Sequence, residues 1–279
     1  MLCACSVKDD SSTNEGALIL SHSNVNREYL LHIPENYDPN NSHPIVFNFH
    51  GYGGTATDHM YSADLRSIAD TAGFILVYPQ GLPLDGSPHW NIAENGGDNK
   101  SNSDDFGFVT SLINELQSEY NVDTDRIYAC GYSNGAGFSF SVACHLDQFA
   151  AMASISGLMS DWALVNCDPP KPVGVMIIHG TSDDSRPYSG INDYLLSVDE
   201  EIQFWTDFND TDSIPQINNF NDGNSIEHFK YDNGTNGSSV ELYKINNGYH
   251  VWFDFLHNGK NTNQLIWNFF SKHSLGENL

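Results

Sequence analysis

Short, almost uninterrupted apolar runs recur along the chain and alternate with segments of helical spacing. The predicted strands are residues 26–34, 44–49, 74–79, 126–133, 149–157, 173–180 and 240–245. The predicted helices are residues 57–72, 104–120, 134–146, 197–208 and 261–273. A strand that reads as a continuous apolar run is typical of a parallel sheet with helices on both faces. The sequence therefore predicts an α/β fold with a mostly parallel, doubly wound sheet.

The length of the chain, 279 residues, fits one large α/β domain, and no internal repeat or hinge linker divides it. We expect this single domain to span residues 21–279, with residues 209–238 as a polar surface excursion of unassigned function. Residues 1–20 are predicted to be a polar tether or the remnant of a leader. Their start, "MLCACS", resembles the end of a bacterial lipoprotein signal, in which case Cys5 would carry a lipid anchor; the alternative is that these cysteines are incidental.

The charge balance excludes two classes of partner. The chain has 36 acidic and 11 basic residues, a formal net charge of -25, which disfavours binding to nucleic acid or to anionic lipid. No apolar run approaches the roughly 20 residues that a transmembrane helix needs. The Asp- and Asn-rich stretch 207–213 lacks the glycine and final glutamate of an EF-hand loop, so calcium binding is not expected there.

The five cysteines include no Cys-x-x-Cys pair, so a zinc-type thiolate site is not expected. Cys144 and Cys167 could instead close a loop of about 22 residues. Such a disulfide would stabilise the fold by about 3 kcal/mol on the chain-entropy estimate. It would also indicate an exported protein, because disulfides persist mainly in oxidising compartments.

One serine stands in a special setting. Gly131-Tyr132-Ser133-Asn134-Gly135 lies between the predicted strand 126–133 and the predicted helix 134–146. This G-x-S-x-G pattern is typical of a nucleophile elbow, a tight strand-to-helix turn that exposes the serine hydroxyl at the edge of a sheet. The flanking glycines are needed because side chains two residues from the serine would collide across the turn. Ser133 is therefore the candidate nucleophile.

A nucleophilic serine needs a general base, and the base needs an orienting carboxylate. Asp183 and Asp184 both lie in the loop after the predicted strand 173–180. We favour Asp183 and expect the other aspartate to serve as a turn or helix cap. For the base we favour His250, which follows the strand 240–245 and a glycine, with His257 as the alternative.

Donors for a developing oxyanion are expected from the glycine-rich segment "HGYGGT", residues 50–55, and from the elbow. We predict that the backbone N–H groups of Tyr52 and Asn134 supply them and that His50 has a structural role. Trp90, Tyr132 and Trp252 are candidates for a substrate pocket, with core packing as the alternative role of each. The chemistry of these groups requires no metal and no cofactor.

In order along residues 27 to 273, the chain contains "FHGYGGT", "VYPQG", "WN", "DDFGF", "GYSNGAG", "FAAMASISG", "HGTSD" and "GYHVW". In these motifs it resembles the secreted polyhydroxybutyrate depolymerase and feruloyl esterase group, which includes carbohydrate esterase family one. The resemblance implies an α/β-hydrolase fold, a Ser133–His250–Asp183 triad, the backbone at residue 52 in the oxyanion hole, and a Cys144–Cys167 disulfide. One departure is that Tyr249 precedes the histidine and Phe253 replaces a proline that relatives have.

The expected activity is hydrolysis of short-chain or feruloyl-type esters, as small molecules or on a polysaccharide. A polyhydroxybutyrate-type polyester depolymerase is the alternative. A hydrolase fold reused for binding, without catalysis, is a hypothesis of another class, and covalent labelling by a fluorophosphonate would distinguish it. We expect a secreted, periplasmic or surface-anchored bacterial protein.

Overall fold

The computed structural model describes residues 16–93 and 100–276. Its strands are β1 Leu18–His22, β2 Val25–His32, β3 His43–Phe49, β4 Ile75–Pro79, β5 Pro83–Leu84, β6 Ser87–Pro88, β7 Val122–Tyr132, β8 Phe149–Ile155, β9 Gly174–Gly180, β10 Gln216–Asp222, β11 Asn224–Tyr231, β12 Val240–Ile245, β13 Leu256–His257 and β14 Lys260–Asn261. Its helices are α1 Ala56–Ser62, α2 Arg66–Ala72, α3 Asp105–Glu119, α4 Asn134–His145, α5 Asp161–Asn166, α6 Val198–Asn209 and α7 Thr262–Phe270, with a 3₁₀ turn at Thr235–Gly237.

One ten-stranded sheet organises the molecule, in the order β1-β2-β4-β3-β7-β8-β9-β12-β11-β10. The six central strands, from β4 to β12, pair in parallel. Two strands at each edge pair antiparallel. Strands β3, β4, β8 and β9 are buried along their whole length, because a hydrophobic cluster covers each face of the sheet. The prediction of a mostly parallel α/β sheet is confirmed.

The segment 57–72, predicted as one helix, forms two. Helix α1 ends at Ser62 and α2 begins at Arg66. The Asp64 carboxylate accepts hydrogen bonds from the backbone N–H and the guanidinium of Arg66. The Ala63 carbonyl accepts from the buried Tyr78 hydroxyl, at 2.8 Å, instead of from the next helical turn. These side-chain bonds compete with helical ones and break the helix, which periodicity alone does not show.

The segment 209–238, predicted as a polar surface excursion, contains regular secondary structure. It contains β10 and β11, which extend the main sheet as an antiparallel hairpin around Gly223 at a φ of 73°. Most residues of β10 are exposed, so the strand lacks the apolar pattern by which buried strands are recognised. Ile226 of β11 is 1% exposed and packs in the core, which holds the hairpin against the rest of the molecule.

At the opposite edge, β1 begins at Leu18, inside the range 1–20 assigned to a tether, and pairs with β2. Leu18 and Leu20 pack against the core, so the folded part begins before residue 21. The tether or leader at residues 1–15, with Cys3 and Cys5, lies outside the described residues.

The predicted disulfide joins Cys144, at the end of α4, to Cys167, which follows α5. Both residues contact the hydrophobic cluster that covers one face of the sheet. None of the helices in the described ranges is long and apolar enough to span a bilayer.

Candidate active site

The backbone turns sharply at Ser133, between β7 and α4. Ser133 has φ 54° and ψ -113°, in the left-handed half of conformational space that is costly for residues other than glycine. A Cβ atom on Gly131 would lie 2.5 Å from the carbonyl carbon of Gly135, and one on Gly135 would collide with the carbonyl oxygens of Phe49 and His50. Only glycine therefore fits two residues before and two residues after the serine, and the turn is possible because glycine has no side chain.

Three side chains form one hydrogen-bonded chain at this turn. The Ser133 Oγ lies 2.9 Å from His250 Nε2, and His250 Nδ1 lies 2.7 Å from Asp183 Oδ2. A neutral imidazole satisfies both contacts, since its Nδ1–H donates to the carboxylate while Nε2 accepts from the hydroxyl. The three residues follow β7, β9 and β12, whose carboxyl ends meet at one edge of the parallel sheet.

The Asp183 carboxylate is enclosed and fully bonded. Its side chain is 0% exposed, and Oδ1 accepts from the backbone N–H groups of Ser185 and Arg186, at 2.9 and 2.7 Å. Burial by itself raises the pKa of this carboxyl, but the hydrogen bonds from His250 and Arg186 outweigh burial and hold the pKa of Asp183 below its ordinary value. Asp184, the alternative carboxylate, is exposed.

The alternative histidine, His257, lies elsewhere. Its Nε2 contacts the Asn218 amide at 3.1 Å, and its ring stacks on Phe220. These contacts place it against β10, and none of its recorded contacts involves Ser133. Of the two candidate bases, the structure brings only His250 to the nucleophile.

Two hydroxyl groups fix the loop that carries His250. The Tyr132 hydroxyl donates to the carbonyl of His250, at 2.9 Å, and the Ser156 hydroxyl donates to the carbonyl of Val251, at 2.8 Å. Tyr132, which the sequence predicted for a substrate pocket, therefore anchors this loop. The sequence predicted no role for Ser156, although it lies in the motif "FAAMASISG" directly after β8; its φ of 52° and its bond to Val251 are visible only in the structure.

The glycine-rich turn after β3 is held through His50. Its Nδ1–H donates to the carbonyl of Gly51, at 2.7 Å, and its Nε2 accepts from the N–H of Gly81, at 2.9 Å. Burial lowers the pKa of His50 to about 4, so the ring is neutral and keeps one donor and one acceptor. Tyr52 follows in this turn with 58% of its surface exposed.

A cleft of about 280 Å³ opens beside the elbow. Tyr52 and Asn134 line it, and so does Trp90. Trp90 is locked in place because the Asn134 side-chain oxygen accepts from its backbone N–H, at 2.7 Å, while the Asn134 amide donates to its carbonyl. Trp252, also predicted for a pocket, instead packs its ring on His59.

A buried ion pair that the sequence did not predict supports the wall that carries Trp90. The Arg27 guanidinium lies 2.7 Å from Asp105 Oδ1, and both side chains are almost completely buried. Asp105 Oδ2 accepts from the backbone N–H of Asn91, at 2.8 Å. Asp105 belongs to the motif "DDFGF" and Asn91 to "WN", so the ion pair connects these two motifs physically.

The described residues hold no group of three or more His, Cys, Asp or Glu side chains that could bind a metal ion. The arrangement at the elbow, a hydroxyl, an imidazole and a buried carboxylate in series, is instead suited to nucleophilic attack by Ser133 with His250 as base.

Comparison with known proteins agrees with this architecture. A probable feruloyl esterase C of Aspergillus niger is 31% identical over 178 residues, which are 61% of this chain and 59% of that protein. A putative esterase, NocK, of Nocardia uniformis subsp. tsuyamanensis is 33% identical over 152 residues, 53% of this chain and 42% of that protein. The chain thus matches at most about three fifths of the length of these relatives.

Among solved structures, the acetyl xylan esterase from Aspergillus awamori superposes with a TM-score of 0.64 at 15% identity, covering 92% of this chain and 99% of that one. Likeness at this identity shows the fold, which is thereby an α/β-hydrolase fold. The family model described as esterase PHB depolymerase matches residues 28–183, more than half of the chain. The chain therefore belongs to the esterase PHB depolymerase family.

Proposed function

We propose that this protein is a serine esterase that hydrolyses short-chain or feruloyl-type carboxylic esters, free or attached to a polysaccharide. The observation that carries the proposal is the hydrogen-bonded series from Asp183 through His250 to Ser133, at 2.7 and 2.9 Å. The names of the relatives support the substrate class, since they include feruloyl esterase C and a bifunctional acetylxylan esterase/xylanase.

In the proposed first half-reaction, the Ser133 hydroxyl attacks the ester carbonyl carbon while His250 Nε2 takes its proton. Asp183 keeps the imidazole in the Nδ1–H tautomer and stabilises the imidazolium that forms. The backbone N–H groups of Tyr52 and Asn134 donate to the carbonyl oxygen as it becomes an oxyanion. The imidazolium then protonates the departing alkoxide, which leaves as the alcohol.

In the second half-reaction, water attacks the acyl-enzyme, and His250 again takes a proton and returns it, this time to Ser133. The product is a carboxylic acid, and the enzyme regains its starting state. No step draws on a metal or a cofactor. The Cys144–Cys167 disulfide supports an exported location for this activity.

Hydrolysis of an ester panel by the wild type and by Ser133→Ala tests the proposal. The panel contains 4-nitrophenyl acetate, methyl ferulate and a 3-hydroxybutyrate oligomer, which represents the polyester alternative suggested by the family description. We expect the wild type to hydrolyse at least one of the first two, and Ser133→Ala to lower kcat about a million-fold.

Ser118→Ala is the matched control, because Ser118 is an exposed serine on α3 whose hydroxyl only donates to the carbonyl of Glu115. A Ser133→Ala protein that keeps more than about a tenth of the activity would exclude Ser133 as the nucleophile. A wild type that hydrolyses only the 3-hydroxybutyrate oligomer would favour the polyester alternative. A wild type inactive on the entire panel would favour the non-catalytic alternative.

A further inference from the structure

The cleft beside Ser133 is unusual in its charge. Two cations, Lys100 and Arg186, line it together with Tyr52, Tyr194 and the almost completely buried Trp90. None of the described residues of its wall is acidic, although acidic residues outnumber basic ones by 36 to 11 in the chain.

Most of the basic side chains in the described part of the chain lie close to a carboxylate. Ten of its lysines and arginines fall in the described ranges. Six of the ten lie within 4 Å of a carboxylate: Arg27, Arg66, Arg126, Lys230, Lys244 and Lys272. Four have no recorded carboxylate contact: Lys100, Lys171, Arg186 and Lys260. Two of these four face the same cleft, next to the candidate nucleophile.

Neutral groups position both cations of the cleft. Lys100 Nζ donates to the Tyr194 hydroxyl at 3.0 Å and lies 5.0 Å from the centre of that ring. Arg186 has one recorded side-chain hydrogen bond, from a terminal guanidinium nitrogen to the carbonyl of Ser185. A guanidinium carries five N–H donors, so most of those on Arg186 remain for a ligand.

Arg186 is also tied to the proposed machinery through its backbone, whose N–H donates to Asp183 at 2.7 Å. Its side chain therefore starts from a fixed point close to the hydrogen-bonded series. Arginine binds carboxylates in a two-pronged geometry, and a nearby lysine adds a second positive charge. The accessible rings of Tyr52 and Tyr194 provide contact area for a planar or apolar body.

We propose that this cleft recognises a carboxylate on the substrate, so that the preferred esters carry a negatively charged substituent besides the ester group. The inference rests on the proposed esterase function and specifies its substrate class. Lys100 and Arg186 are then residues that determine specificity. A neutral ester would leave both cations without a charged partner. The negative overall charge of the protein also repels free anions that could otherwise pair with them.

Matched ester pairs test the inference. One pair differs in the acyl part: mono(4-nitrophenyl) terephthalate against 4-nitrophenyl 4-methylbenzoate. The other differs in the alcohol: 4-carboxybenzyl acetate against 4-methylbenzyl acetate. For each pair, the ratio of kcat/KM for the anionic to the neutral ester is measured in the wild type, Lys100→Gln, Arg186→Gln and Lys171→Gln.

We expect the ratio in at least one pair to fall about tenfold in Lys100→Gln and in Arg186→Gln, since hydrogen bonds to charged groups are worth that much. Lys171→Gln is the control and should keep the wild-type ratio, because Lys171 contacts the carbonyl of Leu275 and is absent from the wall of the cleft. Ratios within about twofold of wild type for both pairs in both cleft variants would overturn the inference.

A binding measurement separates this inference from the esterase proposal. Calorimetry on Ser133→Ala compares benzoate with neutral benzamide, and then repeats benzoate binding with Lys100→Gln added. We expect benzoate to bind more tightly than benzamide and about tenfold more weakly once Lys100 is replaced. Equal binding of the two ligands would overturn the inference. If the wild type hydrolysed no ester but benzoate bound as expected, the esterase proposal alone would fail.

Discussion

At the scale of single residues, the site depends on how completely Asp183 is bonded. One carboxylate oxygen accepts from two backbone N–H groups and the other from His250. The aspartate is therefore fixed before any substrate arrives, and it fixes the tautomer of the imidazole. The neighbouring Asp184 is exposed and has none of these contacts recorded, although both aspartates lie in the loop after the same predicted strand.

The pair Asp183→Asn and Asp184→Asn tests this difference. An amide at position 183 can donate to Nδ1 and so favour the wrong tautomer, and we expect kcat to fall about ten-thousand-fold, as in a serine-protease triad. Asp184→Asn should stay near wild type. Initial rates on 4-nitrophenyl acetate measure both values of kcat. Equal losses of kcat in the two variants would show that Asp183 does not orient His250 as proposed.

The sequence could indicate Ser133, His250 and a choice between two aspartates, because each lies in a short motif after a predicted strand. It could not indicate Ser156 or the Arg27–Asp105 pair. Ser156 acts through a hydroxyl bond to Val251, 95 positions away, and Arg27 meets Asp105 across 78 positions. Contacts between residues so far apart in the chain leave no local pattern.

At the scale of secondary-structure elements, α6 buries a carboxyl group in the core. Glu201 is 0% exposed, its Oε1 accepts from the backbone N–H of Met159, and its Oε2 has no partner recorded in the described part of the chain. Desolvation raises the pKa of Glu201 well above its ordinary value. The group therefore holds a proton in the folded state at pH values at which the unfolded chain has released it.

This proton gives Glu201→Gln a pH-dependent effect. Above a pH of about 4.3, the unfolded chain ionises Glu201 while the folded protein does not, so stability falls as pH rises, by up to about 1.4 kcal/mol per pH unit. The glutamine variant cannot ionise, and its stability relative to wild type should increase from pH 4.5 to 8. Urea unfolding measures this increase.

Asp207→Asn, an exposed position on the same helix, is the control and should show no such increase. If the difference in unfolding free energy between Glu201→Gln and wild type stayed constant across the pH range, the buried carboxyl would not be protonated as argued.

The elements that the sequence predicted well are those whose burial requires a continuous run of apolar residues. Strands β3, β4, β8 and β9 match apolar runs to within two residues at either end. The edge hairpin β10–β11 escaped prediction because strands with exposed faces need no apolar run. The division between α1 and α2 escaped it because the Tyr78 hydroxyl that bonds to Ala63 comes from a different element.

At the scale of the whole molecule, the surface carries far more negative than positive charge. The formal net charge is -25, and self-repulsion of this kind opposes the compact state. The sequence gives this charge directly, whereas the gathering of Lys100 and Arg186 in one cleft emerges only from the fold. The surface carboxylates therefore repel one another, while the two cations of the cleft attract an anion. Salt should weaken both interactions.

Salt should stabilise the protein at pH 8, where the carboxylates are ionised. Sodium chloride at 0.3 M shortens the screening length to less than about 10 Å, and we expect Tm to rise by about 3 °C or more. At pH 5 the increase should be smaller, because protonation of part of the carboxyl groups makes the net charge less negative. Differential scanning calorimetry measures both. A Tm that falls with salt at pH 8 would contradict dominant self-repulsion.

The most direct measurement of the central claim is mass spectrometry of the protein after reaction with a fluorophosphonate, a reagent that phosphonylates serines activated by a neighbouring base. We expect one adduct per chain, on the peptide that contains Ser133, and none when His250 is replaced by Ala. An unmodified wild type, or an adduct on any other serine, would contradict it.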